Sequence, residues 1–259
     1  MKWLIGFFSR WIPRHIQQLM AHQLLIFVSP FFRGTRFEDP IDGKKYRKLL
    51  PYGQVNKREN ALAPLSMSLE RHRLIWLYLK NKTNFFTVPL KFLHVAPEYC
   101  FLRKFKKQKN LTYITGDLIS PWADIKMDVR DIPFPDNEFD VVMCNHVFEH
   151  VTEDLQAMKE FYRILKPGGW GIFQVPLDSS RETTLEDPAI KSPQDREKYY
   201  WQHDHVRLYG RDYGKRLIQA GFEVTEDTFI QEIGEELTHR YALIQGENIF
   251  VCRKPNATH

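Results

Sequence analysis

The segment MDVRDIPFPDNEFDVVMCNHVFEHV, residues 127–151, contains a complete change from a polar turn to a buried strand and back to polar residues. Its apolar run, Phe139 to Met143, has the length and composition of a strand buried on both faces. Asp128 stands before this run, and Asn145 and His146 follow it after Cys144. Because ligands of open parallel sheets bind at the carboxyl ends of the strands, these polar residues are candidates for a binding crevice.

Short apolar runs alternate with helical stretches on both sides of this segment. The predicted strands are FLHV, LTYIT, FDVVMCN, GWGIFQV, FEVTEDTF and NIFVCRK, and SLERHRLIWLYLKN (68–81) has leucines at helical spacing. Strands that alternate with helices indicate a parallel sheet covered by helices. We therefore predict a Rossmann-like, doubly wound α/β fold with a mostly parallel seven-stranded sheet, helices on both faces and a small N-terminal appendage.

Acidic side chains stand at successive predicted strand ends. Asp117 follows the second strand, where a carboxylate can accept both hydroxyls of a ribose. Asp128 can take the exocyclic amine of adenine while apolar neighbours cover the ring. Both aspartates could instead cap helices, the usual use of Asp after a strand. Their placement at neighbouring strand ends favours contact with a nucleoside.

The order of these pieces resembles the class I S-adenosylmethionine-dependent methyltransferases. The resemblance covers about residues 91–254 and includes Asp128 to Val151, the turn LKPGG (165–169), read as the end of a helix, and DHVRLYG (204–210). It implies S-adenosylmethionine as cofactor and methyl transfer, with a small-molecule acceptor. The residues it implies at the cofactor are Ala96, Glu98, Asp117 at the ribose, Leu118, Asp128 at the adenine, Val129 through its backbone amide, and Asn145; His146 and His205 are the catalytic candidates.

The first strand ends in an unusual turn. The family has an acid and glycines here, whereas this chain has His94, Ala96 and Glu98 at the positions of the acid and the first two glycines. Alanine is the least obstructive replacement for glycine where backbone approaches a ligand. Glu98 either crowds the carboxylate of the cofactor or binds its ammonium group. The methionine half of the site is thus predicted to be rebuilt or impaired, and the adenosine half to be intact.

The N-terminal part divides into two predicted segments before the main domain at 68–259. Residues 1–34 are aromatic-rich and basic, as in an amphipathic helical segment that packs on protein or lies on a membrane surface. Residues 35–67 resemble a small zinc ribbon that has lost its cysteines. Because two carboxylates, an alanine and a serine do not form a closed tetrahedral site, we predict no structural zinc. The four substituted positions are Asp39, Asp42, Ala63 and Ser66.

Composition is that of an ordinary soluble protein, with 43% apolar residues, 27% charged residues and a net charge of +5. The three cysteines are far apart, which favours reduced thiols and a cytoplasmic location. His203 and His205, with Asp204 between them, suggest a metal site. No third donor group of suitable spacing is evident, so we predict no bound metal. Two alternatives stay open: an RNA methyltransferase, suggested by the basic run RKFKKQK (103–109), and a non-catalytic module that kept the fold.

Overall fold

The computed structural model describes residues 23–53 and 57–256, so most of the predicted N-terminal helical segment, residues 1–22, lies outside it. The strands are β1 (Arg33–Asp39), β2 (Lys44–Tyr46), β3 (Leu50–Tyr52), β4 (Arg58–Leu62), β5 (Leu90–Val95), β6 (Leu111–Asp117), β7 (Ile125–Lys126), β8 (Phe139–Asn145), β9 (Leu165–Gln174), β10 (Glu223–Asp227) and β11 (Ile249–Arg253). The helices are α1 (Glu70–Lys82), α2 (Tyr99–Phe105), α3 (Asp154–Ile164), α4 (Pro193–Tyr200), α5 (Tyr213–Gln219), α6 (Phe229–Ile233) and α7 (Glu235–Arg240).

Seven strands form the central sheet, in the order β10-β11-β9-β8-β5-β6-β7. The pairs from β9 to β7 are parallel, and β11 runs antiparallel to both of its neighbours. Strand order reverses at β5, because the chain proceeds from β5 to β6 on one side and later to β8 on the other. The predicted Rossmann-like fold with a mostly parallel seven-stranded sheet is confirmed. This topology places a ligand crevice at the carboxyl ends of β5, β6 and β8.

Both faces of the sheet are covered by apolar side chains. Leu93 and Val95 of β5 pack in one core with Phe161 of α3, whereas Phe92 packs in a second core with Leu74 of α1. All five are almost fully buried. Successive side chains of a strand point to opposite faces, so a strand buried on both faces must be apolar throughout. Burial on both faces therefore explains the continuous apolar runs in the sequence.

The turn between α3 and β9 differs from the prediction. We expected the helix to continue to the glycine pair at Gly168 and Gly169, but it ends at Ile164 and β9 begins at Leu165. The glycines lie within the strand, where the register to β8 shifts. Gly168 has a φ of +75°, a conformation that side chains disfavour. The glycine pair therefore marks an irregularity of the strand rather than a helix end.

Two small hairpins, β1–β2 and β3–β4, precede the main sheet. Asp39, one of the four positions compared with zinc ligands above, accepts hydrogen bonds from the hydroxyls of Ser66 and Ser68. The fully buried Arg73 of α1 donates to the carbonyl oxygen of Ser68 at 2.9 Å and so attaches this cluster to the main domain. Burial and the neighbouring Asp39 raise the pKa of Asp42 to about 6. Hydrogen bonds among protein groups thus connect residues that would hold a metal in a zinc ribbon.

The segment before β1 presents apolar side chains to solvent. Leu24, Phe27 and Phe31 are each more than half exposed. Within the described ranges no helix has both the length and the apolar character needed to cross a bilayer.

Candidate cofactor and acceptor site

The sheet brings the predicted cofactor residues to one edge. Val95, the last residue of β5, pairs with Gly116 of β6 on one side and with Cys144 of β8 on the other. The amide of Ala96 donates to the carbonyl of Gly116 at 2.9 Å. The residues that follow β5, β6 and β8 are therefore neighbours around a single crevice.

Asp117 lies at this edge with one carboxylate oxygen committed and one free. Its Oδ1 accepts hydrogen bonds from the amides of Ile119 at 2.7 Å and Ser120 at 2.6 Å. Its Oδ2 has no hydrogen bond to any residue in the described ranges. The adjacent Leu118 and Ile119 are 52% and 82% exposed, which is unusual for such apolar side chains. The strand end thus offers a free acceptor beside an apolar surface.

Asp128 lies next to Asp117, because the amide of Met127 donates to the Asp117 carbonyl at 3.0 Å. Arg130 holds the Asp128 carboxylate with its guanidinium, with Nη2 2.7 Å from Oδ2. These hydrogen bonds lower the pKa of Asp128 below its usual value. The backbone amide of Val129 donates to none of the described residues. A ligand amine at Asp128 must therefore compete with Arg130, whereas the Val129 amide is available.

Glu98 forms a largely buried network at the end of β5. One oxygen of its carboxylate accepts from Asn145 Nδ2 at 2.9 Å, and the other contacts His94 Nε2. The second ring nitrogen of His94 lies 2.8 Å from the Tyr113 hydroxyl. His72 of α1 approaches the same carboxylate at 3.9 Å. Burial opposes the ionisation of Glu98, but His94, His72 and Asn145 together outweigh it and the pKa falls to about 2.

Two residues at this edge have backbone conformations that favour glycine. Ala96 has a φ of +49° and His146 has a φ of +55°. Left-handed backbone in residues with a Cβ is uncommon and persists where surrounding structure imposes it, often at functional sites. Ala96 thus adopts a backbone conformation that glycine would adopt without the same conformational cost.

A cavity of about 470 Å³ opens beside the crevice, over the ends of β8 and β9. It is lined by polar and apolar residues: Arg58, Glu70, Arg71, His146, Gln174, Val175, Pro176, Leu177, Ser179, Trp201, Glu226, Ile244, Gln245, Gly246, Glu247, Asn248 and Phe250. Its size is that of a small-molecule pocket. The cavity adjoins the predicted cofactor crevice through His146, the residue after Asn145.

Charged residues that the sequence analysis missed lie on the cavity wall. Arg71 of α1 has a buried Nε atom with no hydrogen-bond partner among the described residues. Burial raises the pKa of Glu247 to about 7, although the charge of Arg71 acts against it. Arg71 belongs to a predicted helix and Glu247 to a loop far along the chain. Neither occurs in a motif, so only the fold could place them together.

The structure separates the two predicted catalytic histidines. His146 lines the cavity, with Nδ1 3.2 Å from a carboxylate oxygen of Glu149. Burial and Arg71 lower the pKa of His146, partly opposed by Glu149. His205 is buried, with Nδ1 2.8 Å from the carbonyl of Tyr200, and it packs against His150 instead of lining the cavity. Of the two, His146 alone lines the cavity.

Comparison with known proteins agrees with this geometry. Residues 100–173 match the family described as a methyltransferase domain. This segment of the chain therefore resembles a methyltransferase domain. This domain resembles demethylmenaquinone methyltransferase of Staphylococcus carnosus, with 31% identity over 121 residues, which are 39% of this chain and 48% of the relative. It also resembles the ubiquinone/menaquinone biosynthesis C-methyltransferase UbiE of Pseudoalteromonas translucida, with 42% identity over 114 residues, 39% of this chain and 45% of the relative.

The chain spans slightly less than half the length of these curated relatives. Among solved structures, the [4+2]-cyclase SpnF superposes with a TM-score of 0.53 at 16% identity, covering 91% of this chain and 96% of that chain. At such low identity the likeness concerns the fold alone. The curated relatives are thus named for methyl transfer, whereas the structural neighbour is named for another reaction.

Proposed function

We propose that this protein is an S-adenosylmethionine-dependent methyltransferase that acts on a small molecule. The observation that carries the proposal is the pair Asp117 and Asp128, at adjacent strand ends and joined through the Met127 amide. A free carboxylate oxygen, the unpaired amide of Val129 and the exposed Leu118 match the ribose, the adenine edge and the adenine face. The names of the curated relatives, which are quinone methyltransferases, support the same reaction.

The methionine half of the cofactor has a different set of partners in this proposal. Glu98 is ionised and lies at the end of β5, where its charge favours an ammonium group. Arg71 has an unpaired guanidinium nitrogen at the neighbouring cavity wall, which suits a carboxylate. These two charges replace contacts that a glycine-rich turn makes through its backbone. The cofactor supplies an electron-poor methyl group, and the protein supplies position and exclusion of water.

His146 is the residue we assign to the acceptor. His146 follows Asn145, a proposed cofactor contact, and lines the cavity. A nucleophile held in the cavity would therefore lie next to His146 and to the cofactor. Replacing His146 by Ala or Gln should lower kcat with little change in cofactor affinity. An equal loss of cofactor affinity in both variants would show that His146 builds the pocket instead.

Calorimetric titration with S-adenosylhomocysteine tests the proposal most directly. Saturable one-to-one binding supports the enzyme, and no heat at millimolar ligand would contradict it. The second outcome favours a non-catalytic module, for which the Glu98 network is the specific observation, because its polar groups already satisfy one another. A screen of small aromatic and quinol acceptors then follows with the binding-competent protein.

Localisation and partners belong to the same proposal. All three cysteines are free and buried, which suits a reducing compartment such as the cytoplasm. Leu24, Phe27 and Phe31 offer an apolar contact to a membrane surface or to protein. Flotation with anionic vesicles, comparing the full chain with Phe27→Ser/Phe31→Ser, separates the two. Vesicle binding that the double variant loses supports the membrane contact.

A further inference from the structure

We propose that Glu149, His150 and His205 bind one divalent transition-metal ion, of the class of Zn²⁺ or Mn²⁺. One ligand atom from each residue lies within 4.8 Å of the other two. Glu149 and His150 belong to the helical turn after β8, and His205 follows α4. Glu149 and His150 lie far from His205 in sequence, so the spacing around His205 alone does not reveal them as donors.

The buried Glu149 carboxylate has one nearby polar side chain among the described residues, His146, and the contact lacks hydrogen-bond geometry. Glu149 is 1% exposed, and neither of its oxygens has a partner of hydrogen-bond geometry in the described ranges. The closest polar group is His146 Nδ1, 3.2 Å from Oε1. Burying a carboxylate without donors or a counter-charge is costly. A bound divalent cation removes that cost.

Both imidazoles are oriented so that Nε2 remains available for a metal. His205 Nδ1 lies 2.8 Å from the carbonyl of Tyr200, which can only accept, so Nδ1 carries the hydrogen and Nε2 the lone pair. His150 Nδ1 lies 3.6 Å from Asp204 Oδ2. Metal-binding histidines commonly direct the other ring nitrogen to a carbonyl or carboxylate, which fixes the tautomer. His205 shows the carbonyl version of this arrangement, and a carboxylate lies within ion-pair range of His150.

The backbone that carries the three residues is held in place. The amide of Val206 donates to the carbonyl of Glu149 at 2.8 Å, which connects the two segments directly. The fully buried Arg207 donates to the carbonyls of Phe148 and Thr152, both at 2.8 Å. These bonds clamp the turn on either side of Glu149 and His150. The donors are thus brought together by the fold before any metal binds.

The donor set selects the class of metal. Two imidazoles and one carboxylate suit zinc, manganese or iron, whereas magnesium prefers an all-oxygen site. Ligand atoms at about 2.0–2.1 Å from a tetrahedral zinc lie about 3.4 Å apart. A small rotation of the exposed His150 therefore completes the site. Three protein ligands leave a coordination position open for water or a ligand.

The proposed site borders the acceptor cavity. His146, which contacts Glu149, lines the cavity, and so does Trp201, which follows the residue whose carbonyl holds His205. The metal would therefore lie just behind the cavity wall. Its binding does not depend on the proposed methyl transfer, and it is measured without cofactor or acceptor.

Titration of the full chain with Co²⁺, after chelator treatment and dialysis, tests the proposal through the visible absorption of the bound ion. We expect one equivalent to bind and to be displaced by Zn²⁺. His150→Ala and His205→Ala should weaken binding by at least about tenfold, since even loss of an outer partner of a metal ligand has that effect. His203→Ala is the matched control, because this exposed histidine is close in sequence but outside the cluster. It should bind as the unchanged protein does.

Folding is checked independently. His150 is exposed, so His150→Ala should keep the unfolding temperature of the metal-free protein. Zn²⁺ should raise this temperature in the unchanged protein and in His203→Ala, but not in His150→Ala. The proposal fails if the unchanged protein takes up well under one equivalent of Co²⁺ and of Mn²⁺, or if His150→Ala binds as tightly as the control.

Discussion

The two halves of the crevice lie on one sheet edge but use their polar groups in different ways. On the β6 side, Asp117 keeps a free oxygen and Asp128 is held only by the exposed Arg130. On the β5 side, Glu98 is bound by His94 and Asn145 inside the protein. On the β6 side a carboxylate oxygen remains free for a ligand. On the β5 side the carboxylate oxygens are already bonded to other protein groups. The same strand-end position can therefore serve binding in one place and stability in another.

This difference gives each acidic residue its own expected phenotype. Removing a group that is paired inside the protein lowers stability, because its partners stay buried without hydrogen bonds. Removing a group that faces a free site lowers ligand affinity and changes stability little. The comparison fails if replacing Glu98, like replacing Asp117, leaves the free energy of unfolding almost unchanged.

The largest expected effect is the loss of stability in Glu98→Ala. This variant leaves His94 and Asn145 without their shared partner, and breaking a buried charged pair costs about 3–5 kcal/mol. Urea unfolding at pH 7 measures the free energy of unfolding, with Glu138→Ala as the control, since that carboxylate pairs with Lys91 nearer the surface. A loss below about 1 kcal/mol would show that the network is not structural.

The pH dependence of stability tests the same network. The folded pKa of Glu98 lies at about 2, below its usual value, so its contribution is present above pH 4.5 and is lost as the pH falls toward 2. Glu98→Gln cannot ionise and lacks this component. The difference in unfolding free energy between the two proteins should therefore shrink between about pH 5 and pH 2. A constant difference across this range would contradict an ionised Glu98.

On the other half, Asp117→Ala should weaken S-adenosylhomocysteine binding about 10- to 100-fold, since hydrogen bonds to a charged group contribute about 1.5–3 kcal/mol. Calorimetry measures the affinity. Asp131→Ala is the control, because its exposed carboxylate carries the same charge in the same loop region without a hydrogen bond to the described residues. If both variants lose affinity equally, the loss reflects overall charge and not a ribose contact.

The sequence was sufficient to place at one sheet edge those candidate residues that directly follow a strand. Asp117 and Asp128 each follow a recognisable apolar run, so the position of the carboxylate is set by the strand beside it. Asn145 and His146 were found in the same way. Because sheet pairing brings the carboxyl ends of parallel strands to one edge, knowledge of the strands alone predicted the crevice.

The other features depend on contacts between distant segments. His72 and Arg71 come from a helix that precedes the first strand of the main sheet, and nothing in its spacing shows that they face Glu98 or the cavity. His205 meets Glu149 only because the chain returns to β8 after α4. Helix α3 ends early because β9 pairs with β8 from Leu165 onward. The spacing of apolar residues in the sequence does not reveal this pairing.

The smallest expected effect concerns Arg130, whose guanidinium pairs with the Asp128 carboxylate in the absence of a ligand. Arg130→Ala frees the carboxylate for the exocyclic amine of adenine, so S-adenosylhomocysteine should bind slightly more tightly, by up to about fivefold, as expected for an exposed pair. Arg211→Ala, which breaks the exposed pair with Glu182, is the control for loss of one positive charge. Weaker binding in Arg130→Ala alone would mean that Arg130 itself contacts the ligand. In that case the β6 side, like the β5 side, would use its polar groups as a connected network, and the contrast between the two halves would be one of exposure only.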